Sequence, residues 1–255
     1  ALIGAANTLT FLGNGQIQAY NTDGIGFLSN IRQHLPGWTA ASGPALVLGA
    51  GGAAKAIVSA LINDGAPKVI VVNRTRMRAD ALRDHIGARV ETQDWTRIAD
   101  LVGDVALIVN TTSLGMDGQS PLSIDLTRLT PPTVVTDIVY KPLETELLAT
   151  ARQMGCETVD GLGMLLHQAV PGFERWFGYT PMVDDDLRAA VLARELFGRL
   201  LAAGIGVLIF THVFINIAMT VGLMPITGLP LPLMSYGGSF MVTTMGALGL
   251  VQSVY

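Results

Sequence analysis

The distribution of charge divides this chain of 255 residues into two parts. The 20 Asp and Glu and the 16 Lys and Arg all lie in residues 1–199, and none follows Arg199. In the last 56 residues, His212 is the one side chain that can become charged near neutral pH. A surface in water normally carries charged groups throughout, so we expect a water-soluble region followed by an apolar tail.

Apolar runs alternate with helical patterns through the first region. The runs predict strands at residues 45–49, 68–74, 105–112, 133–140 and 156–161, and two further short strands flank a Gly-containing turn in residues 1–20. Between these runs, apolar residues recur with the spacing of helices. The alternation favours an α/β fold, a Rossmann-like parallel sheet with helices on both faces.

The tail is predicted to form about two membrane-spanning helices. Residues 200–224 are uncharged and long enough for a hydrocarbon core that needs roughly 20 residues, and residues 240–255 are apolar again. Arg194 and Arg199 precede the first span, which places the α/β region in the cytoplasm and the tail in the inner (plasma) membrane. The alternative is a buried core helix of a soluble protein.

A glycine motif lies directly between the strand at 45–49 and the next helix. The stretch LVLGAGGAAKA has the G-x-G-x-x-A pattern of dinucleotide-binding turns, in which backbone N–H groups approach a pyrophosphate. The candidate cofactor-binding residues here are Gly49, Ala50, Gly51, Gly52 and Ala53. A tight strand-to-helix turn without a ligand could also use these glycines.

The end of the following strand favours NADP over NAD. NAD-binding proteins usually have Asp or Glu at this point, whereas this chain has the sequence VVNRTRMR. Asn73, Arg74, Thr75 and Arg78 would surround a 2′-phosphate, for which guanidinium groups are well suited. The alternative is a solvated basic helix start, but Arg near a helix N-terminus opposes the helix dipole.

Several classes of function lack a signal in the sequence. A net charge of −4 without a basic stripe gives no reason to expect nucleic acid as a partner. Cys156 is the single cysteine and has no metal-ligand spacing around it, so we predict no disulfide and no metal site. His34, His85 and His167 also lack such spacing, and we interpret them as structural or exposed.

Seven motifs in order make residues 1–190 resemble the shikimate dehydrogenases. These are IGAANTL, NTDGIGF, LGAGGAAKA, NRT, NTTSLGM, DIVYKP and DGLGMLLHQAVPGFERWFG. The resemblance implies reduction of 3-dehydroshikimate to shikimate by NADPH, a step of aromatic amino acid biosynthesis in which hydride passes between the nicotinamide and the C3 carbonyl. It leaves open quinate as a substrate and the oligomeric state.

The resemblance also assigns roles to individual residues. It makes Asp23 the catalytic and substrate-binding carboxylate, with Asn7, Tyr140 and Gln168 as further substrate contacts. It implies cofactor contacts from Thr111, Thr112, Ser113, Ile138, Gly161 and Met164. Without the resemblance, NTDG could be a turn and helix cap, Tyr140 a buried side chain and Gln168 a helix-surface amide.

The family's N-terminal substrate lobe, which contains a catalytic Lys, is expected to lie before residue 1. Lys55, Lys68 and Lys141 occur in other contexts and do not match that Lys. We therefore interpret residues 1–35 as a remnant of the substrate lobe with its linking helix, and residues 36–190 as the NADP-binding domain. Little or no turnover is expected from these residues alone.

The tail resembles a different family. Residues 196–255, with GLMPITGLPLPLMSYGGS, are similar to the C-terminal end of SEDS membrane proteins of bacterial cell shape and division. The resemblance implies contact with a lipid bilayer. Three hypotheses remain open: an oxidoreductase with a membrane tail, a cell-wall membrane protein with a cytosolic cofactor-binding module, or an artificial join of two gene fragments near residues 189–196.

Overall fold

The computed structural model describes residues 4–192, 196–220 and 245. They belong to two compact units, Ala1–Val183 and Asp184–Tyr255. The predicted boundaries at residues 35, 190 and 196 stay predictions, and each unit is described by itself.

The first unit begins with an antiparallel pair of short strands. Strand β1 (Thr8–Phe11) pairs with β2 (Ile17–Tyr20), as the sequence predicts. Three apolar side chains of the pair, those of Leu9, Phe11 and Ile17, are exposed. The chain then enters helix α1 (Asp23–His34), which packs against the helices that follow.

A six-stranded parallel sheet forms the centre of the first unit. Its strands are β3 (Ala45–Leu48), β4 (Val69–Val72), β5 (Val90–Gln93), β6 (Leu107–Asn110), β7 (Val134–Asp137) and β8 (Glu157–Val159). They lie in the order β5-β4-β3-β6-β7-β8, and every neighbouring pair is parallel. This is the doubly wound arrangement, in which ligands collect at the carboxyl ends of the strands near the reversal beside β3.

Helices cover both faces of this sheet, which confirms the predicted α/β class. They are α2 (Gly52–Asn63), α3 (Arg76–Ile86), α4 (Ile98–Leu101), α5 (Glu146–Gln153) and α6 (Gly161–Phe177), with short 3₁₀ turns at Ala40–Ser42 and Trp95–Arg97. Side chains of one strand point alternately to two apolar clusters, Val47 to the first and Leu46 and Leu48 to the second. The first cluster includes residues of α1, α2, α3 and α6, and the second includes residues of α4 and α5.

The sequence pattern predicts five of these six strands, four of them from continuous apolar runs and β8 from the short stretch at residues 156–161, and it does not predict β5. Every residue of β3, β4, β6 and β7 is buried, which gives each a recognisable hydrophobic signal. Strand β5 has the sequence VETQ and lies at the edge of the sheet, with Glu91 exposed. An edge strand buries fewer side chains, so its sequence is more polar.

The second unit contains α7 (Asp185–Leu192) and α8 (Leu196–Thr220). Among the described residues, no helix combines the length and the apolar character that a membrane crossing requires. Residues 221–224 of the first predicted span, and all of the second except Met245, lie outside the described residues. The two predicted spans therefore stay predictions.

Candidate active site

The turn between β3 and α2 requires glycine at its first position. Gly49 has φ +110°, a conformation that residues with a side chain rarely adopt. A Cβ built on Gly49 would lie 2.6 Å from Thr111 Oγ1, so the space is also closed to a larger residue. The turn therefore brings the backbone after β3 against the end of β6.

Gly51 and Gly52 lie at the open end of α2. A Cβ built on either glycine would meet no protein atom within 4 Å, so packing inside the chain does not explain why glycine is present. Both residues are exposed, and no side chain caps the helix at Gly51. Ala50 and Ala53 are half-buried beside them. The free N–H groups of this first turn can receive an anionic ligand such as a pyrophosphate.

Three arginines follow β4, and they differ in whether their guanidinium groups form ion pairs. Arg76 forms ion pairs with Asp94 at 2.8 Å and Asp80 at 3.4 Å. Arg74 and Arg78 are exposed, and neither guanidinium has an ion-pair partner within the described parts of the chain. These two arginines thus have their charge available for a ligand.

A hydrogen bond from a side chain to the backbone holds the turn that carries these arginines. The Asn73 side-chain amide donates to the Thr75 carbonyl at 2.8 Å, and Thr75 is the N-cap residue of α3. Asn73 and Thr75 thus shape the turn on which Arg74 lies. Arg78 follows in the first turn of the helix.

The residues after β6 contact the glycine turn. Thr111 donates from its backbone N at 2.9 Å and from its Oγ1 at 2.7 Å to the carbonyl oxygen of Leu48, the last residue of β3. The methyl carbon of Thr112 lies 3.1 Å from the position of a Cβ on Gly49. Ser113 comes next and is exposed. The structure therefore places Thr111 and Thr112 directly beside the predicted pyrophosphate turn.

A second close approach joins the end of β7 to the start of α6. A Cβ built on Gly161 would lie 2.3 Å from the Ile138 carbonyl oxygen and 2.6 Å from that of Val139. Ile138 is half-buried, and Met164 is buried one turn further along α6. Ile138, Gly161 and Met164, which the resemblance assigns to the nicotinamide, thus share one region at the carboxyl edge of the sheet.

Asn7 and Asp23 form a hydrogen-bonded pair at the start of α1. The Asn7 amide nitrogen donates to Asp23 Oδ1 at 2.9 Å. Asn7 Oδ1 accepts from the backbone N and the hydroxyl of Thr22 at 3.1 and 3.0 Å, and from the Thr8 hydroxyl at 3.2 Å. These three donors fix the orientation of the amide, so its NH₂ group faces the carboxylate.

Gln168 and Tyr140 occupy different positions. Gln168 lies where α6 crosses α1, because a Cβ built on Gly26 would be 2.7 Å from the Gln168 backbone N and 2.8 Å from the Met164 carbonyl oxygen. Gly26 is one turn after Asp23, so the crossing brings Gln168 to the helix that carries the carboxylate. Tyr140 follows β7 and is 46% exposed, which corrects the alternative interpretation of a buried tyrosine.

Sequence reasoning missed a buried polar network beneath these loops. Asn110 and Asp137 are the last residues of the neighbouring strands β6 and β7, and Asn110 Nδ2 donates to Asp137 Oδ1 at 2.9 Å. Asp137 Oδ2 accepts from the Thr145 hydroxyl at 2.8 Å. Burial raises the pKa of Asp137, while hydrogen bonds from Val139, Asn110 and Thr145 act in the opposite direction. Polar residues at the ends of two otherwise largely apolar, buried strands were the available signal.

The histidines of the first unit have local partners. His34 Nδ1 lies 3.0 Å from the Asn30 carbonyl oxygen, and His167 Nε2 lies 2.8 Å from Gln33 Oε1. Burial, together with the nearby His34, lowers the pKa of His167. Among the described residues, no group of three or more His, Cys, Asp or Glu could hold a metal ion.

Three family models match the chain. The model "Shikimate / quinate 5-dehydrogenase" matches residues 32–116, and "Shikimate 5'-dehydrogenase C-terminal domain" matches residues 161–192. The model "Cell cycle protein" matches residues 179–255. The first region and the tail therefore resemble separate families.

Two curated relatives match about three quarters of the chain. The NADP(+) shikimate dehydrogenase of Jannaschia sp. (strain CCS1) is 77% identical over 193 residues, which are 76% of this chain and 69% of that protein. The corresponding protein of Paracoccus denitrificans is 57% identical over the same length, at 76% and 68% coverage.

Solved structures share the fold. Quinate dehydrogenase from Corynebacterium glutamicum, in complex with NAD, is 35% identical with a TM-score of 0.66. Shikimate 5-dehydrogenase from Thermus thermophilus, in complex with NADP(H) and shikimate, is 34% identical with a TM-score of 0.61. Each match covers 71% of this chain and 65% of the other, so the chain spans just under two thirds of these solved proteins.

Proposed function

The chain belongs to the NADP-dependent shikimate dehydrogenase family, and we propose that its first region takes part in the reduction of 3-dehydroshikimate to shikimate. The observation that carries this proposal is the fixed Asn7–Asp23 pair. Three donors hold the Asn7 amide in place, and the amide in turn donates to the Asp23 carboxylate at 2.9 Å. A carboxylate positioned in this way can hold a substrate hydroxyl and assist a proton transfer.

The glycine turn and its arginines support NADP as the cofactor. The open N-terminus of α2 at Gly51 and Gly52 has room and N–H groups for a pyrophosphate, and Gly49 supplies the turn before it. Arg74 and Arg78 have charge available for a 2′-phosphate, with Asn73 and Thr75 shaping their turn. When bound, NADPH would supply the hydride for the carbonyl carbon.

The remaining site residues would divide between cofactor and substrate. Ala50, Ala53, Thr111, Thr112 and Ser113 would contact the cofactor at and beside the glycine turn. Ile138, Gly161 and Met164 would face the nicotinamide ring, where their apolar surface excludes water. Tyr140 and Gln168 would contact the substrate next to Asp23. Shikimate and quinate remain alternative substrates, since the matched structures include a quinate dehydrogenase.

Shikimate binding to the NADP-loaded chain tests the role of Asp23. The Asp23→Asn variant keeps the size of the side chain and removes the acceptor charge, so we expect shikimate affinity to fall at least about tenfold, the equivalent of one charged hydrogen bond. Isothermal titration calorimetry on the full chain measures this loss. Asp104→Asn is the matched control, because Asp104 is exposed and its nearest cation is 3.9 Å away. Equal shikimate affinity in wild type and Asp23→Asn contradicts the assignment.

For the tail, we propose a membrane segment related to the "Cell cycle protein" family. With this tail, the whole chain would be an oxidoreductase attached to a membrane. The match to residues 179–255 and the lack of charge after Arg199 favour this origin. A membrane protein with a cytosolic cofactor-binding module and an artificial join of two genes remain the competing hypotheses. Sequencing the genomic locus across codons 185–200 separates an artificial join from a natural fusion.

Alkaline extraction of cell membranes tests the location of the tail. We expect the full chain to stay in the carbonate-resistant pellet, because an inserted apolar helix is not released by high pH or salt. Recovery of the intact chain in the supernatant contradicts membrane insertion.

A further inference from the structure

Two buried polar residues join β6 to β7 at the edge of the sheet where the candidate site lies. Asn110 and Asp137 are cross-strand neighbours, and both are fully buried. Asn110 Nδ2 donates to Asp137 Oδ1 at 2.9 Å. Apart from Thr136, the residues that precede this pair in β6 and β7 are apolar. The pair therefore lies where the apolar interior of the sheet ends and the candidate site begins.

The Asp137 carboxylate orients the loop that follows β7. Its Oδ1 also accepts from the backbone N of Val139 at 3.0 Å, and its Oδ2 accepts from the Thr145 hydroxyl at 2.8 Å. The Val139 carbonyl oxygen accepts from the backbone N of Gly161 at 3.3 Å. The carboxylate thus fixes the backbone on both sides of Ile138 and before Tyr140.

Asn110 orients the loop that follows β6 in the same way. Its Oδ1 accepts from the Thr112 backbone N at 3.0 Å and from the Thr112 hydroxyl at 2.7 Å. Its backbone carbonyl accepts from Ile138 N at 3.1 Å. The Asn110–Asp137 hydrogen bond therefore connects Thr112, beside the glycine turn, with Ile138, beside the start of α6.

Stability of the sheet does not by itself account for a carboxylate at this position. Removing a carboxylate from water is costly, and apolar residues of similar size in buried positions often give equal or greater stability. Here three donors offset that cost. Two of the three, Val139 N and the Thr145 hydroxyl, belong to the segment after β7, which indicates that the network serves the geometry of the loops.

We propose that Asp137 is a positioning residue for NADPH binding, which holds the loops of Thr112 and Ile138 at a fixed spacing through Asn110 and Val139. This inference rests on the proposed function, because it takes those loops to be the walls of the cofactor site. Asp137 acts through other groups and does not itself contact the cofactor. Fully satisfied buried networks of this kind restrict the structure around them to one arrangement.

NADPH affinity of matched variants of the full chain tests the proposal. Asp137→Asn keeps two of the acceptor contacts and removes the charge, and Thr145→Val removes one donor. We expect the NADPH dissociation constant, measured by nicotinamide fluorescence, to rise about tenfold in each, as for the loss of one charged hydrogen bond. Thr145→Ser keeps the hydroxyl and the cap of α5, so it should restore wild-type affinity.

Thr133→Val is the control for a general loss of stability. Thr133 is also a buried threonine beside β7, but it lies at the opposite end of the strand and donates to the Val105 carbonyl oxygen at 3.0 Å. Its variant should lower the thermal unfolding midpoint as Thr145→Val does and leave NADPH affinity within about twofold of wild type, since it breaks a comparable hydrogen bond away from the site.

The outcomes separate this proposal from the proposed function. If the wild-type chain binds no NADPH, the proposed function fails and this inference fails with it. If wild type binds NADPH and Thr145→Val binds it equally well, the positioning role of Asp137 is wrong while the function stands. A loss of affinity in Thr133→Val as large as in Thr145→Val also overturns the positioning role, because it assigns the effect to stability.

Discussion

At the scale of single residues, the candidate site depends on side chains that are held by several partners. Asn7 accepts three hydrogen bonds and gives one to Asp23. The sequence motifs predict both residues as part of the site, but they do not indicate that Thr8 and Thr22 orient the Asn7 amide. The contact from Thr8 joins neighbouring residues, whereas the two contacts from Thr22 depend on how β1 approaches α1, which lies outside any local pattern.

The buried carboxylate of Asp137 should make the stability of the folded protein depend on pH. Burial raises its pKa in the folded protein above the value of 3.8 that applies in the unfolded chain. The folded state therefore holds this proton more tightly, and the contribution of Asp137 to stability declines as pH rises from 3.8 through the folded-state pKa.

Urea unfolding at several pH values measures this effect. The free energy of unfolding of wild type, relative to that of Asp137→Asn, should decrease as pH rises from about 4 towards neutral, because only wild type carries the titrating group. A difference that stays constant over this interval, or that increases with pH, contradicts the burial argument. Asp104→Asn, at an exposed position, should show a constant difference.

At the scale of secondary-structure elements, glycines set how closely the helices approach the site. A Cβ built on Gly163 of α6 would lie 1.8 Å from Asn30 Oδ1 of α1, and the amide of Asn30 donates to the Asp160 carbonyl at 2.7 Å. Gly26 permits the same close approach from the side of α1. The crossing of these two helices brings Gln168 to the helix of Asp23.

Gly163→Ala should therefore destabilise the protein. The added methyl group would displace Asn30 and separate α1 from α6, and overpacking of this kind costs about 1–3 kcal/mol. Gly37→Ala is the control, because a Cβ there meets no atom within 4 Å. Chemical denaturation compares the two. Equal stability of Gly163→Ala and Gly37→Ala would show that the helix crossing adapts to a larger residue.

The elements also show how far the sequence predicts the structure. Continuous apolar runs identify β3, β4, β6 and β7, and the glycine motif places the turn before α2 correctly. The polar edge strand β5 has no such signal. The bond between Asn110 and Asp137 joins residues 27 positions apart, so it could be predicted only once β6 and β7 were known to be neighbours.

At the scale of the whole molecule, the chain contains two compact units and matches models of two separate families. The first holds the doubly wound sheet and all candidate site residues, and the second includes α7 and α8. The shikimate dehydrogenase C-terminal model ends at residue 192, whereas the cell cycle protein model begins at residue 179. The two matches overlap over residues 179–192, and the join predicted from the two resemblances, near residues 189–196, begins within this overlap.

The central claim for the molecule is that the first region contains a cofactor site that prefers NADP(H) to NAD(H). Its selectivity is assigned to Arg74 and Arg78, which have no ion-pair partner among the described residues, while Arg76 pairs with Asp80 and Asp94. Arg97 is a suitable control, because its guanidinium is already paired with the Asp100 carboxylate at 2.6 Å.

The most direct measurement is fluorescence titration of the full chain with NADPH and with NADH. Wild type and Arg97→Ala should bind NADPH at least about tenfold more tightly than NADH, because charge-assisted bonds to the 2′-phosphate exist only for NADPH. The double variant Arg74→Ala, Arg78→Ala should lose this preference and keep its NADH affinity. Equal affinity of wild type for the two cofactors, or an unchanged preference in the double variant, would contradict the account.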